Sequence, residues 1–219
     1  MTPPGPPPSS SERVEVTGNF VEQHLVPSVG SLKYVISRTL QRMYCVPVLL
    51  EVAVILAGNF SNAPLAPWVL RTLLPPGGLR ALTFTAPFVI GWALNLAGTL
   101  LRIHCYRTLD RLFTFELAVQ REHKLVTDGV YSIVRHPSYT AAIIMFFGCF
   151  AVQLFPGSWL HEYVGFALTA GWVMIQGALL TVGVCERMPR EDDMLRKEFG
   201  QQWDEWAKRV PYRLIPGIL

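Results

Sequence analysis

The chain has 219 residues, 51% of them hydrophobic and only 16% charged, with a net charge of +3. Soluble domains carry about 25% charged residues. That deficit, with a mean hydropathy of +0.31, excludes an ordinary water-soluble enzyme and points to an integral membrane protein. So small a net charge gives no reason to expect nucleic acid as a partner, and the placement of the charges says more than their sum.

The first residues, "MTPPGPPPSSSE", are rich in Pro and Ser. Such a segment buries no core, so residues 1–20 are expected to be disordered. It lacks a basic region followed by an apolar run and does not read as a cleavable signal peptide. Insertion is therefore expected to use an internal span. Residues 29–41 have the pattern of an amphipathic surface helix.

A span needs about 20 mostly apolar residues. Four segments qualify: 43–60, 84–103, 139–155 and 163–185. Pro47 and Glu51 interrupt the first. Glu51 reads either as a functional carboxylate or as the mark of a shallower helix start. Between the first two spans, "APLAPWVLRTLLPPGG" is apolar but short, and its prolines predict an interfacial or re-entrant piece. In the second span Gly91, Asn95, Gly98 and Arg102 recur at three- and four-residue spacing. That pattern predicts close helix packing, with Arg102 reaching to the interface. Cys45, Cys105, Cys149 and Cys185 show no metal-type spacing and read as small apolar side chains rather than a disulfide framework.

The basic residues give an independent check. Four precede the first span, two follow it, six flank the segment between spans two and three, none lies in residues 156–162, and seven follow the fourth. This alternation fits four spans with both termini in the cytosol. It places two polar blocks, 104–138 and 186–219, on the same side. The expected fold is an all-α integral membrane protein with about four transmembrane helices, or five if the proline-rich piece also crosses. A membrane region of two spans over 21–103 would precede a second membrane region over 104–219.

The stretch "GVYSIVRHPSYTAAIIMFFG" sets Arg135, His136 and Tyr139 directly against an apolar run. Pro137 suits the first turn of a helix, and the residue before a proline is pushed out of the helical region. His136 should therefore end an extended entry segment. A helix N-terminus with unpaired N–H groups suits a carboxylate or another polar ligand group. The alternative is an interfacial anchor, with Arg135 on lipid phosphate and Tyr139 in the aromatic belt. This stretch alone leaves both open.

In the second block Arg187 and Glu191 are four apart and would share a face of a continuous helix. Pro189 could instead open a new helix and break that spacing. Leu195, Phe199, Trp203 and Trp206 form an apolar stripe for packing. Asp192, Asp193, Lys197, Glu198 and Asp204 read as a solvated face.

"HKLVTDGVYSIVRHPSY", followed by spans and then "R…ED..L…FG..W..W…VP", resembles the isoprenylcysteine carboxyl methyltransferase family over roughly residues 113–211. The resemblance implies an endoplasmic-reticulum membrane enzyme with its site facing the cytosol. Such an enzyme transfers a methyl group from S-adenosyl-L-methionine to the carboxylate of a C-terminal prenylated cysteine. It further implies that Gln120, His123, Lys124, Leu125, Val126, Tyr131, His136, Pro137, Ser138, Tyr139 and Glu191 contact the cofactor. Arg187 would hold the substrate carboxylate and, with Glu191, form the catalytic pair; no metal is implied. Two positions depart from the family pattern. Ala141 stands where glycine is usual, and the usual Glu-Glu pair is Glu191 and Asp192, of shorter reach.

The chemistry suits these residues. An α-carboxyl of pKa about 3.5 is already ionised at neutral pH and needs no general base. The site must instead align the oxygen with the methyl carbon and exclude water. A guanidinium such as Arg187 can orient a carboxylate through two parallel hydrogen bonds. Three alternatives stand beside this reading. Membrane sterol reductases that use NADPH share the RHPxY element and the Trp-rich end. A methyltransferase could act on another lipophilic acceptor such as a phospholipid amine. A membrane scaffold binding lipid headgroups would explain the basic residues but not the order of His, Tyr, Arg and Glu.

Overall fold

The computed structural model describes residues 31–109 and 124–218, with side chains from residue 44 onward. Among the described residues the chain is all-helical. Its α-helices are α1 (Ser31–Asn59), α2 (Ala66–Leu73), α3 (Ala86–Leu109), α4 (Pro137–Leu154), α5 (Trp159–Val164), α6 (Phe166–Phe199) and α7 (Gln201–Arg209). Short 3-10 turns lie at Leu79–Ala81 and Gly129–Ser132. Helices α3, α4 and α6 are each long and apolar enough to cross a membrane, and Tyr44–Asn59 of α1 is a shorter apolar helix. Large apolar side chains such as Trp92 and Leu100 on α3, Phe147 on α4 and Met174 on α6 stay exposed. Contiguous apolar surface of this kind is costly in water and natural in hydrocarbon. The protein is a multi-pass membrane protein.

The expected elements are present with shifted boundaries. Residues 31–41 are not a separate surface helix but the first part of α1, which runs on through Pro47. The fourth span starts at Phe166 rather than residue 163, because Gly165 at φ +94° breaks the chain there. Few residues other than glycine adopt that conformation. Residues 159–164 then form α5, capped by the Ser158 side chain, which accepts the His161 N–H at 3.2 Å. The proline-rich piece forms α2, with Pro67 in its first turn.

The described chain clusters into two compact units. Among the described residues, one is built of 90–109, 124–150 and 174–218; the other takes 31–89 and 151–173. In the second unit Trp159 donates its indole N–H to the Leu73 carbonyl at 2.8 Å, and Tyr163 donates to the Thr72 carbonyl at 2.9 Å. Glu51 accepts the backbone N–H of Trp159 at 3.2 Å. That N–H belongs to the first turn of α5 and has no partner within the helix. Glu51 is thus a structural cap inside α1 rather than the mark of a helix start.

In the first unit α4 packs against α3 on one side and α6 on the other. A Cβ added to Gly98 would lie 2.6 Å from Met145 Cγ and 2.9 Å from the Ala141 carbonyl oxygen. One at Gly148 would lie 2.7 Å from the Gly91 carbonyl and 2.5 Å from Asn95 Nδ2. The glycine spacing therefore does what close helix packing requires. Ala141 is fully buried, and its carbonyl oxygen faces Gly98 of the partner helix. Arg102 completes the seam. It donates to the Tyr106 hydroxyl at 2.6 Å and to the Ser138 carbonyl at 3.3 Å. Gly98→Val should cost about 1–3 kcal/mol by overpacking, read as a lowered Tm in detergent. An unchanged Tm would show that α3 and α4 do not touch here.

Candidate functional site

The site grows from two backbone hydrogen bonds. Arg135 N–H donates to the Tyr212 carbonyl at 3.0 Å, and His136 N–H to the Arg213 carbonyl at 2.9 Å. Pro137 then opens α4 and is among the most buried residues described. Because a proline keeps the preceding residue extended, the N–H groups of 135 and 136 are free to pair with a neighbouring segment. One turn on, the Thr140 hydroxyl donates to the Leu214 carbonyl at 2.7 Å. Residues 211–214 are thereby laid along the N-terminus of α4.

Helix α6 runs unbroken through Pro189, so Arg187 and Glu191 share a face after all. The Tyr139 hydroxyl donates to Glu191 Oε2 at 2.6 Å, and Arg187 lies close enough to act on the same hydroxyl. Arg187 Nε is buried with no hydrogen-bond partner among the described residues. A buried guanidinium nitrogen left this way is costly unless a ligand completes it. Behind this trio the His136 ring stacks on Tyr139, with centroids 5.5 Å apart and planes 29° apart.

Asp192 is the residue that the sequence reading misplaced. It is not on a solvated face but only 4% exposed. Its Oδ1 lies 3.0 Å from His136 Nε2, and its Oδ2 lies 3.2 Å from Arg135 Nη1 and 3.3 Å from Arg213 Nε. One step along a helix turns a side chain by about 100°, which swings Asp192 away from Glu191 and onto the 135–136 segment. Its shorter side chain reaches all three partners. The other charges behave as read: Asp193, Lys197 and Glu198 are exposed, and Asp204 pairs with Arg196 at 2.8 Å on the surface.

Arg135 is turned inward, not toward lipid phosphate. It also donates to the Pro211 carbonyl at 3.3 Å and lies 5.6 Å over the Trp203 ring. Burial lowers its pKa from the ordinary arginine value, with Asp192 pulling the other way.

The residues implied as cofactor contacts divide into groups. Tyr139 and Glu191 meet in the trio, with His136 behind them. Leu125, Val126 and Tyr131 pack with Trp203, Trp206 and Val210 in an apolar cluster, together with Leu195 and Phe199 of the predicted stripe. The Trp206 indole N–H donates to the Tyr131 carbonyl at 3.1 Å, and burial pushes the Tyr131 phenol well above its ordinary pKa. Ser138 offers its carbonyl to Arg102, and Lys124 is exposed. Gln120 and His123 lie outside the described residues. The contacts of Asp192 with Arg135, His136 and Arg213, and of Arg102 with the Ser138 carbonyl, were not read from the sequence. For Asp192 the available signal was its place beside Glu191; nothing local marked Arg213.

Comparison with known proteins gives a consistent result. Residues 91–182 match the model of the isoprenylcysteine carboxyl methyltransferase (ICMT) family. Protein-S-isoprenylcysteine O-methyltransferase B of Arabidopsis thaliana is 36% identical over 123 residues, 55% of this chain and 55% of the relative. The 7-dehydrocholesterol reductase of Arabidopsis thaliana is 31% identical over 94 residues, 43% of this chain but 19% of the relative. A solved structure of the eukaryotic intramembrane Ras methyltransferase ICMT superposes with a TM-score of 0.49 and 22% identity, covering 88% of this chain and 55% of that one. The chain spans about half the length of the curated methyltransferases it matches. The resemblance read from the RHPxY stretch is borne out. The match to the family model ends before Arg187 and Glu191.

Proposed function

We propose that this chain is an S-adenosyl-L-methionine-dependent methyltransferase acting on the C-terminal carboxylate of prenylated cysteine. The observation that carries the reading is the trio of Tyr139, Arg187 and Glu191, with Arg187 Nε buried and without a partner among the described residues. A guanidinium with a spare donor beside a carboxylate fits an anionic acceptor next to a cationic donor molecule. When bound, S-adenosyl-L-methionine supplies an electrophilic methyl group and leaves as S-adenosylhomocysteine.

The protein's residues do the rest by binding and orientation. Arg187 holds the substrate carboxylate through charge-assisted hydrogen bonds. Its grip orients one oxygen but also dampens its nucleophilicity, so positioning is its contribution. Glu191 balances the positive charge of the donor molecule, and Tyr139 fixes the Glu191 carboxylate. No proton needs to move, because the acceptor is ionised at neutral pH. The prenyl chain, being apolar, enters from the bilayer along the exposed apolar faces of the helices. The positive-inside distribution supports a site facing the cytosol, and the family resemblance supports residence in the endoplasmic reticulum.

The reductase reading makes a different demand on the same site, so ligand binding separates them. Purified protein in calorimetry should bind S-adenosyl-L-methionine and give no heat with NADPH. Binding of NADPH with none of S-adenosyl-L-methionine would overturn the proposal.

A further inference from the structure

Both oxygens of Asp192 are engaged, one by His136 and the other by Arg135 and Arg213. Three protein donors thus take up most of the acceptor capacity of this buried carboxylate. Its partners are what connect it to the site. The His136 ring stacks on Tyr139, whose hydroxyl holds Glu191. Arg213 belongs to residues 211–214, whose carbonyls take two backbone N–H groups from residues 135 and 136 and the hydroxyl of Thr140. Leu214 also packs with Val184 and Met188 of α6, beside Arg187. One carboxylate thus ties the start of α4, the end of α6 and the 211–214 strand of chain.

We propose that Asp192 is a positioning residue for the site. It fixes the imidazole of His136 behind Tyr139, fixes the 211–214 segment over the start of α4 through Arg213, and touches neither cofactor nor substrate. The proposal rests on the methyltransferase reading for its kinetic consequence but not for its structural one. His136 then serves the site through its ring face. Its Nε2 is committed to Asp192, and its ring face props Tyr139.

Asp192→Asn tests this, because it keeps the shape while setting an amide N–H against guanidinium donors. Loss of charge-assisted hydrogen bonds should raise the KM for S-adenosyl-L-methionine by about tenfold or more. At saturating donor, kcat and the KM for N-acetyl-S-farnesylcysteine should stay within about threefold, because Arg187 is untouched. A general loss of packing would instead lower kcat with both KM values unmoved. Hydrogen exchange at the amides of Arg135 and His136 should accelerate by about tenfold in the same variant. Arg213→Gln, at a side chain 41% exposed and therefore tolerant of change, should move the same readouts in the same direction by less.

Unchanged exchange at both amides, or a fall in kcat alone, would overturn the proposal. A wild type that exchanges as expected but transfers no methyl group would sink the methyltransferase reading and leave the positioning role standing.

Discussion

Arg187→Ala should lower kcat/KM for N-acetyl-S-farnesylcysteine by about two to three orders of magnitude while leaving binding of S-adenosyl-L-methionine within about threefold. The size follows from the interaction removed. Each hydrogen bond to a charged group is worth about 1.5–3 kcal/mol, and about 1.4 kcal/mol is a factor of ten. A two-bond grip on a carboxylate in a site shielded from water therefore accounts for the whole effect. Arg187 Nε, like Arg135 Nε, is buried without a hydrogen-bond partner among the described residues, and Arg187 lies in the trio with Tyr139 and Glu191. Arg187→Lys should recover only part of the activity, because an ammonium keeps the charge but not the two-pronged geometry. Equal activity of lysine and arginine variants would mean that charge alone matters at this position.

Glu191→Gln acts on the other partner. It should weaken binding of S-adenosyl-L-methionine by about ten- to a hundredfold, measured as Kd, with a smaller change in the KM for the prenylcysteine. The neutral amide no longer balances the donor molecule's charge, and it presents a donor or a weaker acceptor to the Tyr139 hydroxyl 2.6 Å away. Tyr139→Phe should do the same to a lesser degree. If the hydroxyl works by holding Glu191, the double variant should lose less than the sum of the single losses. Strict additivity would show that the two residues serve the ligand independently.

The parts of this molecule that were legible in the sequence are those with a period. Apolar runs of span length gave α3, α4 and α6, and the three- and four-residue recurrence of Gly91, Asn95 and Gly98 gave the packed seam between α3 and α4. The stripe from Leu195 to Trp206 packs as its spacing predicted. Arg187 and Glu191 were legible as a pair because they are four apart. What stayed hidden depends on contacts between residues far apart in the chain. Asp192 sits in a run of acidic and basic residues, and such a run looks like a solvated face whichever member turns inward. Only the fold reveals that residues 135, 136 and 213 converge on it.

Helix α5 was read as part of a loop and a span, because Gly165 resembles the other small residues of a membrane helix until its φ is known. Leu125, Val126 and Tyr131, which the resemblance implies for the cofactor, pack against Trp203 and Trp206. Apolar side chains that border a site serve packing first, and a motif does not separate the two duties.

In the proposed reaction Arg187 presents its guanidinium to the carboxylate of a prenylated cysteine. The most direct test incubates membranes containing the protein with methyl-labelled S-adenosyl-L-methionine and N-acetyl-S-farnesylcysteine, wild type beside Arg187→Ala. Base-labile label in the wild type, reduced at least a hundredfold (about 2.8 kcal/mol) in the variant, is the predicted result. Equal label in both, or none from folded wild-type protein, would contradict it.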